Sequence, residues 1–257
     1  INLFYFKKIA PSFPRYLYKR GHFLFKPTSN LCYALKLMSL QAVISDLDGI
    51  IVNSEHYHFL SFKRLLKEDY NIEYTKEDDR HFLGTTDIYV FNNLKARHPH
   101  LQTPLSELIS KRTHLYIEIF KHEAKPLPGI IDFFQYLQEH HIPLAIGTAA
   151  SRGVTEFIAQ ILNLKKWIQF YVCADDVVCG KPAPDIYLKC AEKLGIPPKN
   201  MLVIEDSVHG EQAAKAAGMK CIAIPCGPTV EQDHSLADWV LTSATELTPE
   251  IIQRLFQ

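Results

Sequence analysis

Two carboxylates stand at the end of the apolar run at residues 41–46, and their spacing is suited to chemistry. Residues 41–46 predict a buried strand, and the motif Asp46-Leu47-Asp48-Gly49 stands at its end. Because residues i and i+2 of an extended segment point the same way, both carboxylates should leave the sheet edge on one side. Adjacent carboxylates repel each other, so the pair predicts a shared proton or a bound cation. On its own, the motif fits a solvated acidic turn equally well.

Three further strand ends carry polar side chains. Thr148 closes the second predicted strand, and the small Ala149 after it leaves backbone N–H groups accessible. Lys181 lies on a proline-stiffened loop, and a later strand ends in Glu205-Asp206. Ligands of open α/β sheets bind beyond the carboxyl ends of the strands. We therefore expect all of these side chains to meet at one site.

The charge balance of that site predicts metal-assisted phosphoryl transfer. Asp46, Asp48 and Asp206 supply excess negative charge, which a hard cation such as Mg²⁺ would neutralise. A cation that also holds a phosphate oxygen allows one carboxylate to attack phosphorus while its neighbour protonates the leaving oxygen. Lys181 and Thr148 would then bind the remaining phosphoryl oxygens.

The elements that must position these residues alternate between strands and helices. Six short apolar runs predict strands at residues 41–46, 142–148, 170–174, 201–205, 221–224 and 239–241. Because these runs show little polar alternation, they suit a sheet that is covered on both faces. The predicted fold class is α/β, a doubly wound parallel Rossmann-like sheet.

One connection is far longer than the others. The interval between Asp48 and Thr148 greatly exceeds the roughly 30 residues of a strand–helix–strand unit. It contains three stretches of helical periodicity, within residues 57–65, 88–94 and 105–120. The sequence therefore predicts a small helical cap at residues 54–128, inserted into an α/β core formed by residues 39–53 and 129–257.

Composition excludes several functional classes. The 257 residues are 47% hydrophobic and 22% charged, with a formal net charge of zero. No apolar run approaches the roughly 18 residues of a membrane span, and a neutral chain has no bulk attraction to nucleic acid. The six cysteines form no C-x-x-C pair, which favours reduced thiols. We expect a cytoplasmic monomer with neither a membrane nor a nucleic-acid partner.

The first 45 residues differ from the rest in charge. They contain no Asp or Glu, and their charged residues are Lys7, Lys8, Arg15, Lys19, Arg20, Lys26 and Lys36. Phe and Tyr are also abundant there. We predict that residues 1–38 are a basic, aromatic-rich extension outside the native fold, as translated upstream DNA would give. A targeting segment and a poorly packed tail are the alternatives.

Four ordered motifs resemble those of the haloacid dehalogenase-like hydrolases. They are DLDGIIVNS from Asp46, GTAAS from Gly147, GKPAPDIY from Gly180 and IEDSVHGEQAAKAAGM from Ile204. The resemblance covers residues 41–225 and is to the branch with a helical cap, which contains sugar-phosphate phosphatases and β-phosphoglucomutase.

This resemblance implies a role for each matched residue. Asp46 would form an aspartyl-phosphate, and Asp48 would be the general acid and base. Mg²⁺ would be held by Asp46, by the carbonyl of Asp48 and by Asp206, with Glu205 assisting. The phosphoryl group would be bound at Thr148, Ala149 and Lys181.

The cap residues bear on the substrate. In β-phosphoglucomutase-like proteins a Gly-x-x-Arg motif binds a distal phosphate, but the comparable Gly84-Thr85-Thr86-Asp87 ends in an acid, which would repel one. His58 matches a histidine on the first cap helix of the mutases. We predict His58, Gly84, Thr85 and Asp87 as cap residues that contact substrate. The expected function is a Mg²⁺-dependent phosphatase of a small phosphorylated metabolite, such as a sugar phosphate. A phosphomutase and a phospho-accepting signalling switch are the alternatives.

Overall fold

The computed structural model describes residues 40–82 and 87–256. The predicted N-terminal extension, residues 1–38, and two of the predicted cap residues, Gly84 and Thr85, lie outside the described residues.

Six strands form one parallel sheet, as the sequence predicts. They are β1 Ala42–Ser45, β2 Leu144–Gly147, β3 Tyr171–Val172, β4 Met201–Glu205, β5 Lys220–Ala223 and β6 Trp239–Val240. Their spatial order is β3-β2-β1-β4-β5-β6, and every neighbouring pair is parallel. Helices fill the connections: α1 Ser54–Tyr70, α2 Lys76–Phe82, α3 Asp87–Arg97, α4 Leu105–Glu123, α5 Ile130–Glu139, α6 Arg152–Ile161, α7 Asp185–Leu194, α8 Val208–Ala216 and α9 Pro249–Leu255.

The central strands are fully buried because helices cover both faces of the sheet. Along β1, Val43 packs against the apolar layer that contains α5, α6 and α9. Its neighbours Ala42 and Ile44 pack against the opposite layer, which contains α7 and α8. This alternation follows from the two-residue period of a strand. The predicted doubly wound fold class is confirmed.

The register of the sheet brings the predicted site residues to one edge. Ser45 of β1 pairs with Ile146 of β2 and with Ile204 of β4. The next residue on each strand is therefore level with the others, which places Asp46 beside Gly147 and Glu205. Backbone pairing, and not local sequence, sets the spacing of the site.

Helices α1 to α4 occupy the long connection between β1 and β2. They have an apolar cluster of their own, which includes Phe62, Tyr74 and Phe91. However, Tyr57 of α1 and Phe120 of α4 belong to the core beside the sheet, so the insertion shares apolar surface with it. The cap boundaries at residues 54 and 128 stay a prediction.

The helices and the cysteines of the described residues bear on two of the sequence predictions. Within residues 40–82 and 87–256, none of the helices has the length and hydropathy that crossing a bilayer requires. The cysteines in these ranges are free thiols, three of them buried: Cys173, Cys190 and Cys221.

Candidate active site

Lys181 lies at the centre of a buried ionic cluster at the edge of the sheet. Its Nζ donates to Asp46 Oδ1 at 2.5 Å, to Glu205 Oε1 at 2.6 Å and to the Gly147 carbonyl at 3.0 Å. These three acceptors satisfy every N–H of an ammonium group. Only 6% of the Lys181 side chain and 8% of the Asp46 side chain is exposed, so solvent screens the pair weakly. Lys181 therefore acts as the counter-ion of two carboxylates.

Both carboxylate oxygens of Glu205 accept hydrogen bonds. Oε1 accepts a second hydrogen bond from the Tyr187 hydroxyl at 2.5 Å. Oε2 accepts from the backbone N–H groups of Asp206 at 3.0 Å and Ser207 at 3.2 Å, and from Ser207 Oγ at 3.1 Å. Helix α8 approaches closely because residue 210 is glycine: a Cβ there would lie 1.8 Å from Glu205 Cδ. Glu205 thus fixes the backbone that carries Asp206.

Asp206 is held against the turn that follows β1. Its Oδ2 accepts a hydrogen bond from Thr229 Oγ1 at 3.1 Å. A Cβ at Gly49 would lie 2.2 Å from the same oxygen, and Gly49 has a φ of +80°, a left-handed conformation that favours glycine. Gly49 therefore lets the acidic turn and Asp206 share one small volume.

A pocket of ≈ 300 Å³ opens onto this cluster, and all of the predicted core site residues except Glu205 line it. Asp48 contributes a buried Oδ1 that has no hydrogen-bond partner within the described ranges. Thr148 Oγ1 accepts from the Ala150 N–H at 3.0 Å, which leaves the hydroxyl proton free for another acceptor. The pocket is the place where a ligand would meet both Asp46 and Asp48.

Burial and crowded charge shift the pKa values of the acids. Burial raises the pKa of Asp46 and of Asp48. Burial and the nearby Glu205 charge raise the pKa of Asp206 to about 7. Burial also acts to raise the pKa of Glu205, but the Lys181 ammonium outweighs it and lowers the value. One ammonium therefore does not offset all the carboxylates, and the cluster favours an additional positive charge.

Three of these acids fit a divalent cation. Asp46, Glu205 and Asp206 each offer a carboxylate oxygen, and the three oxygens lie within 4.8 Å of one another. Hard oxygen donors and excess negative charge are what Mg²⁺ requires. The Asp48 side chain is not one of the three, and its predicted metal contact through the carbonyl stays a prediction.

The predicted cap residues that are described form a second polar cluster. His58 Nδ1 lies 3.0 Å from Arg112 Nη1, and the His58 ring stacks on Tyr116 at 4.3 Å. Arg112 Nη2 also donates to both carboxylate oxygens of Asp87. Burial, reinforced by the Arg112 charge, lowers the pKa of His58 to about 4, so the ring is neutral at neutral pH. Asp87 is thus paired with a cation and does not stand alone.

Sequence reasoning missed several residues of the site. Tyr187 stands in the quoted GKPAPDIY motif, yet nothing in that motif shows that its hydroxyl reaches Glu205. Arg112 and Thr229 lie outside all four motifs, and only the folded chain brings them to His58 and Asp206.

The sequence of this chain is similar to one protein family and to named proteins. The profile of a haloacid dehalogenase-like hydrolase family matches residues 43–224. Protein CbbY of Rhodobacter capsulatus is 31% identical over 229 residues, which cover 83% of this chain and all of that protein. The phosphorylated carbohydrates phosphatase of Thermotoga maritima is 30% identical, over 71% of this chain and 84% of its own.

A solved structure is also similar to this chain. A hydrolase of Deinococcus radiodurans, crystallised with bound phosphate and sodium, has a TM-score of 0.71 and 27% sequence identity. The match covers 84% of this chain and 97% of the other.

Proposed function

The chain belongs to the haloacid dehalogenase-like hydrolases, and on that premise we propose that it is a Mg²⁺-dependent phosphatase of a small phosphorylated metabolite. The named relatives favour a sugar phosphate as the substrate, since one of them is a phosphorylated carbohydrates phosphatase.

One observation carries this proposal. Asp46 and Asp48 line the same pocket as Thr148, Ala149 and Lys181. Two carboxylates with different surroundings can divide the roles of nucleophile and acid. Asp46 contacts the Lys181 ammonium, whereas Asp48 has a buried oxygen with no partner among the described residues and a raised pKa. This division suits Asp46 as nucleophile and Asp48 as proton donor.

In the first half-reaction, Asp46 attacks phosphorus and the bond between phosphorus and the leaving oxygen breaks. Asp48 gives its proton to that oxygen, so the product leaves as a neutral alcohol and Asp46 carries the phosphoryl group. The Thr148 hydroxyl and the backbone beside Ala149 donate hydrogen bonds to the phosphoryl oxygens. Lys181 stabilises the negative charge that collects around Asp46.

In the second half-reaction, Asp48 takes a proton from water, and the water oxygen attacks phosphorus. The bond to Asp46 breaks, inorganic phosphate leaves, and both carboxyl groups return to their starting states. Asp46 and Asp206, with Glu205 holding the backbone, would bind Mg²⁺, which supplies charge neutralisation at the phosphoryl oxygens.

A generic aryl phosphate tests the reaction class. We expect steady release of inorganic phosphate that requires Mg²⁺ and disappears in Asp46→Asn. A stable phosphorylated protein without turnover would instead support the signalling switch. Denatured-protein mass spectrometry after rapid quenching should detect one phosphoryl group on wild type and none on Asp46→Asn.

A panel of sugar phosphates separates hydrolysis from transfer. The phosphatase proposal predicts phosphate release from monophosphates without an added bisphosphate. The phosphomutase alternative predicts slow release and isomer formation that depends on a bisphosphate activator. Isomer formation at a rate above that of phosphate release would contradict the proposal.

A further inference from the structure

A buried ion pair lies next to the loop that carries Thr229, outside the residues that line the pocket. Glu211 of α8 is 0% exposed, and its Oε1 contacts Nδ1 of His234. The other oxygen of Glu211 is buried without a hydrogen-bond partner in the part of the chain that the structure describes. A carboxylate in that position requires a counter-charge, because an unpaired buried charge is strongly destabilising.

The contacts of His234 identify that counter-charge. Its Nδ1 faces the Glu211 carboxylate, and its Nε2 lies 2.7 Å from the Thr229 carbonyl oxygen. With Glu211 ionised, both partners are acceptors, and both ring nitrogens then donate a proton. Only the imidazolium form carries two N–H groups. His234 is therefore a cation in this arrangement.

Through His234 the ion pair fastens the loop that carries Thr229. Thr229 Oγ1 lies 3.1 Å from Asp206 Oδ2 and 3.0 Å from the Cys226 carbonyl, and it accepts the Cys226 N–H at 2.9 Å. The hydroxyl has a single proton, which it can donate to either of the two oxygens. A second tie joins the Gln232 side chain to the Val208 N–H at 3.0 Å.

We propose that Glu211 and His234 are positioning residues, which hold Thr229 against Asp206 and thereby orient that carboxylate for the cation. The inference deepens the proposed function and rests on the metal role given there to Asp206. Groups that orient a metal ligand from behind commonly change metal affinity by about tenfold or more when they are removed.

The first experiment needs no metal. Hydrogen exchange of the EDTA-treated protein is compared between wild type, His234→Asn and Glu211→Gln, which keeps the side-chain shape. We expect faster amide exchange across residues 226–235 in both variants. His114→Asn is the matched control, because His114 pairs with Glu118 at 3.4 Å on the exposed face of α4. Unchanged exchange in both variants would overturn the fastening role.

The second experiment measures Mg²⁺ binding to the metal-free protein by titration calorimetry, in a double-mutant cycle. His234→Asn should weaken binding about tenfold when Thr229 is present and by less than about twofold in the Thr229→Val background. If Thr229 is the connection, the two effects are not additive. Equal loss in both backgrounds would mean that His234 acts by another route and would contradict the positioning role.

The two experiments also separate this inference from the proposed function. Wild type that binds no Mg²⁺ contradicts the metal-dependent phosphatase and, with it, the orientation of Asp206 for a cation. Wild type that binds Mg²⁺, with an affinity unchanged in both Glu211→Gln and His234→Asn, contradicts the positioning role alone. Glu211→Gln replaces His234→Asn in the cycle if the latter does not fold.

Discussion

The sheet edge and the helical insertion each bury one cation among acids, yet the two clusters have opposite charge balances. At the sheet edge, Lys181 serves Asp46 and Glu205 while Asp206 stands close by. In the insertion, Arg112 forms an ion pair with Asp87 and contacts neutral His58. The sheet edge therefore favours an added cation, whereas the insertion is already close to neutral.

The two clusters also differ in how they are assembled. Lys181 and Asp46 are 135 residues apart in sequence, and the parallel sheet brings them together. Arg112 and Asp87 are 25 residues apart and belong to helices of the same insertion. The comparison indicates that the sheet places the candidate reacting groups, whereas the polar contacts of the insertion depend on the packing of its own helices.

The largest expected effect is on kcat, when the candidate nucleophile of the sheet-edge cluster is replaced. Asp46→Asn should lower kcat for an aryl phosphate by about 10³-fold or more, because an amide cannot act as the nucleophile. Asp78→Asn is the matched control, since Asp78 pairs with Arg97 in the insertion and should leave kcat within about twofold. A kcat for Asp46→Asn within tenfold of wild type would exclude this residue as nucleophile.

The second largest expected effect is on stability, when the Lys181 ammonium is removed. Lys181→Met leaves two buried carboxylates without their counter-ion, so the free energy of unfolding of the metal-free protein should fall by about 3–5 kcal/mol. Urea denaturation measures this loss. Mg²⁺ should stabilise the variant more than wild type, because the cation replaces the missing charge.

Lys189→Met, on α7, is the control for that measurement, because within residues 40–82 and 87–256 the Lys189 ammonium hydrogen-bonds to the Asp176 carbonyl, at 2.5 Å, and not to a carboxylate. A loss of stability equal to that of Lys181→Met would show that the central cluster has no special role.

A smaller effect sharpens the description of the insertion. Burial and the Arg112 charge hold the pKa of His58 at about 4. Arg112→Met removes the second cause, so NMR titration should show a higher His58 pKa than in wild type, still below its ordinary value because burial remains. Asp87→Asn should move the pKa further down, since the Asp87 charge raises it. Arg97→Met, which breaks the Arg97–Asp78 pair, should leave it unchanged.

The smallest effect concerns the pH dependence of stability and the loop that carries Thr229. Burial acts to lower the pKa of His234, but the Glu211 contact and the Thr229 carbonyl outweigh it and raise the value; Asp206 also contributes. Because the pKa is higher in the folded state, protonated His234 stabilises the fold. This stabilisation is fully present below the unfolded pKa of about 6.5 and is lost as pH rises through the folded pKa. The stability difference between wild type and His234→Asn should therefore shrink from pH 5.5 to pH 9. A difference that grows with pH would contradict the cationic assignment.

The sequence was sufficient to predict the parallel sheet and the group of side chains at its edge. Apolar runs predict strands, and a parallel sheet must bring their carboxyl ends together, so Asp46, Thr148 and Glu205 could be grouped before any coordinates. The hydrogen bonds of Lys181 could not be predicted in the same way. Lys181 lies in the loop before α7, and its Nζ contacts with Asp46 and Glu205 depend on side-chain positions that only the folded chain defines.

Helix α2 shows why part of the insertion escaped prediction. Its sequence KEDDRHF is charged throughout and buries only Phe82, so it carries no apolar period. The pairing of Asp87 with Arg112 was also beyond sequence reasoning, because two helices must pack before the side chains meet. The expectation that the Asp87 carboxylate would repel a distal phosphate did not include the Arg112 cation that pairs with it.

The absent side chain at Gly210 has a consequence for design. A methyl group there would overlap Glu205 Cδ at 1.8 Å, so even alanine would force this carboxylate, or the helix, to move. The strength of the acidic cluster thus depends on an atom that is missing from a neighbouring element. Transplanting the four acids onto another parallel sheet would fail unless that vacancy were transplanted with them.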